Sequence, residues 1–376
     1  MSPMPRPNVG HAWGPGRKLL LLLAVPAIVL AACGGEQKES DTSTSTPVPT
    51  ATADRPTAAT PIHPVPTSPS PEVRSAAPAF SMPWGVGVNP NTGLVYVASY
   101  GSDSLTVVDG ATNTAVGAVP VGDGPLSAAV DPNTNRIYVV NYWSQTVSVV
   151  DGATNREVAT IPVGDEPREA AVDAEANRIY VTNYASKTVS VIDGTTDAVV
   201  ATVPTGDGPW AVAVNPTTRR AYVTNYDGND LTVIDTATDT AVATIAVPGG
   251  IPSGVAVNPE TNRVYVGHLL TFNVMVFDGA TNEMVARMMV GVQPRGMAAD
   301  PARNRVYVAN TGGNSVSVID GETNAVVAEV PVGKSPVTVA VNSSAGRVYV
   351  VNQEGRSVSV IDAGTNAQVT DITASQ

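Results

Sequence analysis

Short runs of alternating apolar and polar residues recur along the chain after residue 83, and Asp, Asn, Gly and Pro separate them. The second copy has four such runs, at residues 128–131, 136–141, 146–151 and 157–163. The turn sequences Asp131–Thr134 and Asp151–Thr154 stand between them. No segment after Cys33 combines a 3.6-residue period with helix caps. The pattern therefore predicts short β-strands in groups of four.

The groups repeat with a nearly constant period. A proline marks the start of each copy, and the steps between prolines are 42, 42, 42, 43, 42 and 42 residues. These prolines are Pro83, Pro125, Pro167, Pro209, Pro252, Pro294 and Pro336. A Tyr and an Asp follow in register in every copy, from Tyr96 and Asp109 to Tyr349 and Asp362. Seven repeats of four strands predict an all-β fold, a seven-bladed β-propeller with four antiparallel strands (A to D) in each blade.

Strand B also carries a family motif. Tyr180-Val181-Thr182-Asn183 and Tyr222-Val223-Thr224-Asn225 resemble the signature of the YVTN β-propeller repeat family, and three other copies are close variants. In the first and fifth copies we assign Ser99 and Gly267 to the position of the Asn. The resemblance covers residues 83–376 and implies the propeller fold. It implies no common activity, because members of this family resemble surface-layer, envelope and binding proteins.

Several repeated residues have a structural interpretation. Six copies open strand B with Arg and close strand C with Asp, so that Arg136 is expected opposite Asp151 across a hairpin. The repeat Tyr is expected to pack between blades. The ring must also close, and we expect residues 368–374 to form the outermost strand of blade 7. Residues 76–82 are expected to run along the rim of that same blade.

The first 32 residues have the features of a secretory signal. Arg17 and Lys18 precede an apolar run of 14 residues, which is too short to span a bilayer. Leu30-Ala31-Ala32-Cys33 resembles the bacterial lipobox, and Cys33 is the single cysteine of the chain. The resemblance implies that Cys33 is acylated and becomes the mature N-terminus. We therefore expect an extracytoplasmic protein anchored to a bacterial membrane through its lipid.

Residues 33–75 are expected to form a disordered tether. Between Asp41 and Pro71, 20 of 31 residues are Thr, Ser or Pro, and such a segment buries too little apolar surface to fold. Its proline density favours an extended chain. The predicted organisation is therefore a signal peptide at 1–32, a lipidated tether at 33–75 and a propeller at 76–376.

Charge and composition exclude several classes of function. From Pro83 onward the chain has 28 acidic and 15 basic residues, which disfavours a general nucleic-acid binder. One Cys rules out a disulfide framework and a cysteine zinc site. His268 is the one histidine of the repeats. We expect no metal, no cofactor and no catalytic residue that the sequence can name.

Variation among the repeats indicates where a ligand binds. The A-to-B and C-to-D loops are nearly identical turns, whereas the D-to-A and B-to-C loops differ from copy to copy. We call the end of the propeller that carries these variable loops the upper face. We expect an aromatic platform there, with acids and two Arg around it. Its candidate ligand-binding residues are Trp84, Tyr100, Tyr142, Trp143, Arg168, Glu169, Tyr184, Trp210, Tyr226, His268 and Arg295.

Three functions follow from these observations. The first is a non-catalytic module that binds a glycan, a peptide or an envelope protein. The second is a lyase or lactonase, because virginiamycin-lyase-like propellers resemble this fold and use a His with a divalent metal. The third is single-stranded nucleic-acid binding, in which the aromatics stack on bases, although the acidic charge opposes it.

Overall fold

The computed structural model describes residues 80–373, and the predicted signal peptide and tether lie outside these residues. The described chain forms seven sheets of four antiparallel strands, and each sheet is built from consecutive strands. This arrangement confirms the predicted seven-bladed propeller.

The strands of each blade, in the order A to D, have the following bounds. Blade 1 comprises Pro83–Val88, Leu94–Ser99, Ser104–Asp109 and Thr114–Pro120, and blade 2 comprises Pro125–Asp131, Arg136–Asn141, Thr146–Asp151 and Arg156–Pro162. Blade 3 comprises Pro167–Asp173, Arg178–Asn183, Thr188–Asp193 and Ala198–Pro204, and blade 4 comprises Pro209–Asn215, Arg220–Asn225, Asp230–Asp235 and Thr240–Ala246. Blade 5 comprises Pro252–Asn258, Arg263–His268, Asn273–Asp278 and Met284–Met289, and blade 6 comprises Pro294–Asp300, Arg305–Asn310, Ser315–Asp320 and Ala325–Pro331. Blade 7 comprises Pro336–Asn342, Arg347–Asn352, Ser357–Asp362 and Ala367–Thr373.

Backbone hydrogen bonds between loops define the two faces. Trp143, in a B-to-C loop, donates its N–H to the carbonyl of Asp123 in a D-to-A loop at 3.1 Å. Gly152, in a C-to-D loop, donates to the carbonyl of Asn135 in an A-to-B loop at 2.8 Å. The variable loops therefore lie together on the upper face, and the uniform turns lie together on the opposite face.

Burial explains why the strands differ in composition. All residues of strand B except the first are buried, whereas most residues of strand D are exposed, including most of the exposed valines. The buried residues form seven clusters, each shared by two neighbouring blades. The repeat Tyr belongs to these clusters. Tyr222, for example, donates a hydrogen bond of 3.2 Å to the carbonyl of Gly279 in the next blade.

The predicted Arg–Asp pairs are present in most blades. Arg178 contacts Asp193 at 2.5 Å, and the matching pairs of blades 4 to 7 follow the same pattern. Blade 2 differs. Arg136 stands opposite Asp151 in the strand register, but its guanidinium pairs at 2.5 Å with Asp197 of blade 3. There the Arg links two blades, because the C-to-D turn of the next blade lies within its reach.

The ring closes between blades 7 and 1. Ala367–Thr373 is the outermost strand of blade 7, as predicted. Phe80 is only 3% exposed and packs with Tyr349 and Val360 of blade 7 and with Val86 of blade 1. The hydroxyl of Tyr349 lies 3.4 Å from the carbonyl oxygen of Gly110, to which it donates. The seam is therefore sealed by side-chain packing. Residues 76–79 of the predicted rim segment lie outside the described residues, and Ser81 and Met82 accept backbone hydrogen bonds from blade 1, not along the rim of blade 7 as predicted.

Helices are minor in this part of the chain. Across residues 80–373 the helical segments are the short 3-10 turns Tyr100–Ser102 and Pro301–Arg303. None of the described helices is long and apolar enough to span a membrane.

Candidate functional site

The upper end of the central channel is lined by the first residues of the seven A strands. These strands run side by side around the axis, so the residue after each repeat proline stands at the channel mouth. Trp84, Arg168, Trp210 and Arg295 occupy this position in blades 1, 3, 4 and 6, and with Glu169 they line one cavity of about 120 Å³. The structure therefore brings together five of the predicted residues from four blades.

Arg168 lies against three aromatic rings. Its guanidinium carbon is 4.8 Å from the ring centre of Tyr142, 4.9 Å from that of Tyr184 and 4.5 Å from that of Trp210. All three distances are within the range of a cation–π interaction. The predicted aromatic platform is thus already occupied in part by a cation of the chain itself.

Arg295 reaches the same aromatic group from blade 6. Its guanidinium carbon is 5.0 Å from the ring centre of Trp84 and 5.6 Å from that of Trp210. Tyr226 stacks on Trp210 with ring centres 4.9 Å apart. Tyr184 meets Trp210 edge to face at 6.0 Å. Because blades 1, 4 and 6 are not neighbours, these contacts cross the channel mouth.

The two Arg have few anionic partners. Arg168 meets Glu166 at 3.5 Å, and its Nε is buried without a hydrogen-bond partner. Within residues 80–373, no hydrogen bond or ion pair is seen for the side chain of Arg295. Burial lowers the pKa of Arg295, and the nearby charge of Arg168 acts in the same direction. The mouth of the channel is therefore locally positive in a protein that is acidic overall.

Glu169 is the one acidic side chain of the cavity. It stands where the other blades have the small residues Gly, Ser, Ala or Thr, and a Cβ on the equivalent Gly85 would lie 2.5 Å from the carbonyl of Leu126. Glu169 is partly exposed to the channel, and the rest of its side chain is covered by protein. This loss of hydration raises its pKa to about 8, so its carboxyl group is mostly protonated at neutral pH.

Two further predicted aromatic residues lie on the rim of the upper face. Trp143 is 56% exposed, and its indole N–H donates a hydrogen bond of 2.7 Å to the hydroxyl of Tyr100. Trp143 also packs edge to face on Tyr142. This pair offers an open aromatic surface, in contrast to Trp210, whose ring is covered by its neighbours.

Asp227 is a rim residue that the sequence prediction missed. It accepts a hydrogen bond of 2.6 Å from the hydroxyl of Tyr184 in the preceding blade. Burial and this hydrogen bond raise the pKa of Tyr184 to about 12. Its place in the variable B-to-C loop of blade 4 was the available signal. Ser127 and Thr338 were also missed, and they supply hydroxyl groups to the cavity wall.

His268 does not join the site. It pairs with Pro252 as Asn225 pairs with Pro209, so it occupies the Asn position of the motif. The assignment of Gly267 to that position was therefore wrong. Leu269 stands in the Tyr register, since its N–H donates to Ile251 as that of Tyr226 donates to Gly208.

The surroundings of His268 are unusual. The side chain is fully buried, and neither ring nitrogen has a hydrogen-bond partner. Burial lowers its pKa to about 4. In other blades the Asn at this position donates to a Ser or Thr of strand C, as Asn141 does to Ser148 at 2.9 Å, but blade 5 has Met275 there.

Metal ligands do not cluster in the described part of the chain. Among residues 80–373, no group of three or more His, Cys, Asp or Glu side chains is arranged to hold a metal ion. The chemistry that the site offers is therefore that of two guanidinium groups, a protonated carboxyl group and several aromatic rings.

Comparison with known proteins supports the fold. Residues 205–376 match the sequence model of a family described as YNCE-like beta-propeller. A solved structure titled "Kuenenia stuttgartiensis Hydrazine Synthase" is similar with a TM-score of 0.69 and 22% sequence identity. The alignment covers 80% of this chain and 99% of that one, and at this identity it shows the fold alone. No curated protein matches this chain.

Proposed function

We propose that this YNCE-like β-propeller is a non-catalytic binding module that takes its ligand on the upper face, outside the cytoplasm and tethered to a membrane through acylated Cys33. The ligand class is a glycan, a peptide or an envelope protein. The observation that supports this proposal most is the convergence of Trp84, Arg168, Trp210 and Arg295 from four blades on one cavity. Repeats that served architecture alone would not need these different side chains at one register position.

The form of the site favours binding over catalysis. Arg guanidinium groups donate several hydrogen bonds in fixed directions, and Trp and Tyr present large rigid surfaces at low entropic cost. The exposed Trp143–Tyr100 pair extends this surface to the rim. Such a combination suits recognition of a ligand that is partly inserted into the channel and partly laid on the rim.

The alternative of a propeller lyase or lactonase rests on His268 and Glu169. These residues are separated, because His268 is buried in blade 5 and Glu169 lines the cavity from blade 3. A general base and a metal-binding carboxylate have to meet at one substrate. The weaker alternative is single-stranded nucleic-acid binding, which the aromatic residues would support. From Pro83 onward, however, the chain has 28 acidic and 15 basic residues, and this net negative charge repels nucleic acid.

A comparison of the two faces tests the proposal. Full-length protein would be applied to arrays of envelope glycans and peptides, together with Trp143→Ala on the upper face and Glu322→Ala on the opposite face. Both residues are exposed, so neither change should unfold the protein. We expect the first variant to lose at least half of the array signal and the second to keep it. Equal signals from both variants would refute binding through the upper face.

A further inference from the structure

We infer that the cavity binds the C-terminal carboxylate of a peptide that ends in a small residue, with Arg168 and Arg295 as the carboxylate-binding groups. This inference rests on the proposed function, since it names the ligand chemistry of the same face. It is carried by the geometry of the two guanidinium groups, by the local charge and by the size of the cavity.

The two guanidinium groups have hydrogen-bonding capacity to spare. Both line the cavity, and both lie within 5.6 Å of the centre of the same ring, Trp210. Among the described residues, the one side-chain hydrogen bond seen for the two groups is that of Arg168 to Glu166, so most of their N–H donors are left to other partners. Buried donors without partners cost free energy, and a carboxylate is the group that best satisfies an Arg edge. An incoming carboxylate would therefore replace an unfavourable arrangement.

The charge of the mouth matches one negative charge. Arg168 and Arg295 carry two positive charges, and Glu166 contributes one negative charge at 3.5 Å from Arg168. Glu169 adds little at neutral pH, because burial raises its pKa to about 8. The remainder is one positive charge, which a single carboxylate neutralises. A doubly charged phosphate would leave an excess negative charge in a partly desolvated site.

The cavity has room for the end of a peptide chain. Its volume of about 120 Å³ is enough for several water molecules. A carboxylate with its α-carbon and a methyl group therefore fits into it.

The rim is suited to the rest of a peptide. Asp227 lies at the edge of the site and faces the hydroxyl of Tyr184, and Asp165 and Asp207 are exposed in the neighbouring D-to-A loops. These carboxylates can accept hydrogen bonds from peptide N–H groups. They also repel a polyanion, so a chain with one terminal negative charge is favoured over a nucleic acid.

Calorimetry with defined probes tests the inference. Full-length protein would be titrated with Ala-Ala-Ala, with the same tripeptide as a C-terminal amide, and with galacturonate. We expect the free tripeptide to bind at least tenfold more tightly than its amide. Arg168→Met and Arg295→Met should each weaken binding of the free tripeptide at least tenfold, and Arg156→Met, an exposed change on strand D of blade 2, should not.

The pH dependence gives a second measurement. Binding of the free tripeptide should weaken as the pH rises from 7 to 9, because ionised Glu169 adds a negative charge to the cavity. Glu169→Gln should remove this dependence on pH. Circular dichroism of each variant at the titration temperature ensures that only folded proteins are compared.

Three results would overturn the inference. They are equal affinity for the tripeptide and its amide, binding that survives the loss of both Arg, and binding of galacturonate in place of the tripeptide. The proposed function can still hold in each case, provided that Trp143→Ala removes at least half of the array signal. If Trp143→Ala leaves array binding unchanged while the tripeptide still depends on both Arg, then the carboxylate site exists and the proposed rim surface fails.

Discussion

The guanidinium carbon of Arg168 lies 4.5 Å from the ring centre of Trp210, so that two blades are joined at the mouth of the channel by a cation–π contact. Arg295 approaches the same ring from blade 6. Trp210 is thus a structural residue of the channel mouth as well as a candidate ligand contact. The predicted platform therefore divides into a covered part around Trp210 and an open part at Trp143.

This division predicts different costs for two Trp substitutions. Trp210→Ala removes contacts with two Arg and two Tyr and should lower the free energy of unfolding by about 3 kcal/mol. Trp143→Ala removes an exposed ring and should cost less than about 1 kcal/mol. Urea denaturation of both variants measures the difference. Equal losses would mean that Trp210 makes no more of a structural contribution than a rim residue.

The raised pKa of Glu169 predicts that stability declines as the pH rises from 4.5 to about 8. Its pKa is raised from 4.5 to about 8 in the folded protein, so the folded state holds a proton that the unfolded state releases. Stability from this group is complete below pH 4.5 and is lost as the pH rises through 8. Glu169→Gln should therefore raise the Tm more at pH 9 than at pH 4. A Tm gain that is independent of pH would show that Glu169 is not protonated in the fold.

The lowered pKa of His268 predicts that the stability of the protein falls as the pH becomes acidic. Its pKa is lowered from 6.5 to about 4, so the unfolded state binds a proton that the folded state excludes. Stability from the neutral ring is complete above pH 6.5 and is lost as the pH falls towards 4, by on the order of 2–3 kcal/mol. His268→Asn restores the residue of five other blades and should flatten this part of the curve. Denaturation midpoints at pH 4.5 and 7 provide the test.

The burial of Phe80 predicts that the stability of the seam between blades 7 and 1 depends on the residues before the first strand. Because Phe80 is buried between blades 7 and 1, Phe80→Ala should cost about 3 kcal/mol. Ser81 and Met82 also accept backbone hydrogen bonds from Gly101 and Tyr100. Deletion of residues 34–75 should therefore leave the Tm unchanged, whereas deletion of 34–82 should lower it by several degrees. The ring would close without this segment if both deletions melted alike.

The lipid anchor is tested outside the propeller. Cys33→Ser removes the thiol that acylation requires, so we expect uncleaved precursor and no mature lipoprotein. Metabolic labelling with a fatty acid and fractionation of membranes measure both effects. A Cys33→Ser protein that is still processed and still sediments with membranes would contradict the lipobox interpretation.

The sequence by itself determined the architecture, because the period of 42 residues and the alternation within each run are local properties that every copy repeats. The prolines, the repeat Tyr and the Asp of the turns placed strand after strand within one or two residues, apart from the starts of the A strands. The Arg–Asp pairing could also be predicted, since it depends only on the register of one hairpin. It failed at Arg136, where a carboxylate of the next blade competes for the guanidinium, and no hairpin rule includes that neighbour.

Only the tertiary structure decided what the unrepeated residues do. The sequence identified Trp84, Arg168, Trp210 and Arg295 as exceptions, but they are between 42 and 211 residues apart in the chain. The closed ring brings them to one cavity. There the two Arg lie against the aromatic rings, so the channel mouth is positively charged and is not the open aromatic platform that the sequence predicted. The closed ring places these four residues at the channel mouth. His268 does not reach it, because it stands one position before the register of the loop Tyr and is buried in its strand. The repeat period along the sequence does not show which residues of different blades come close to each other in space.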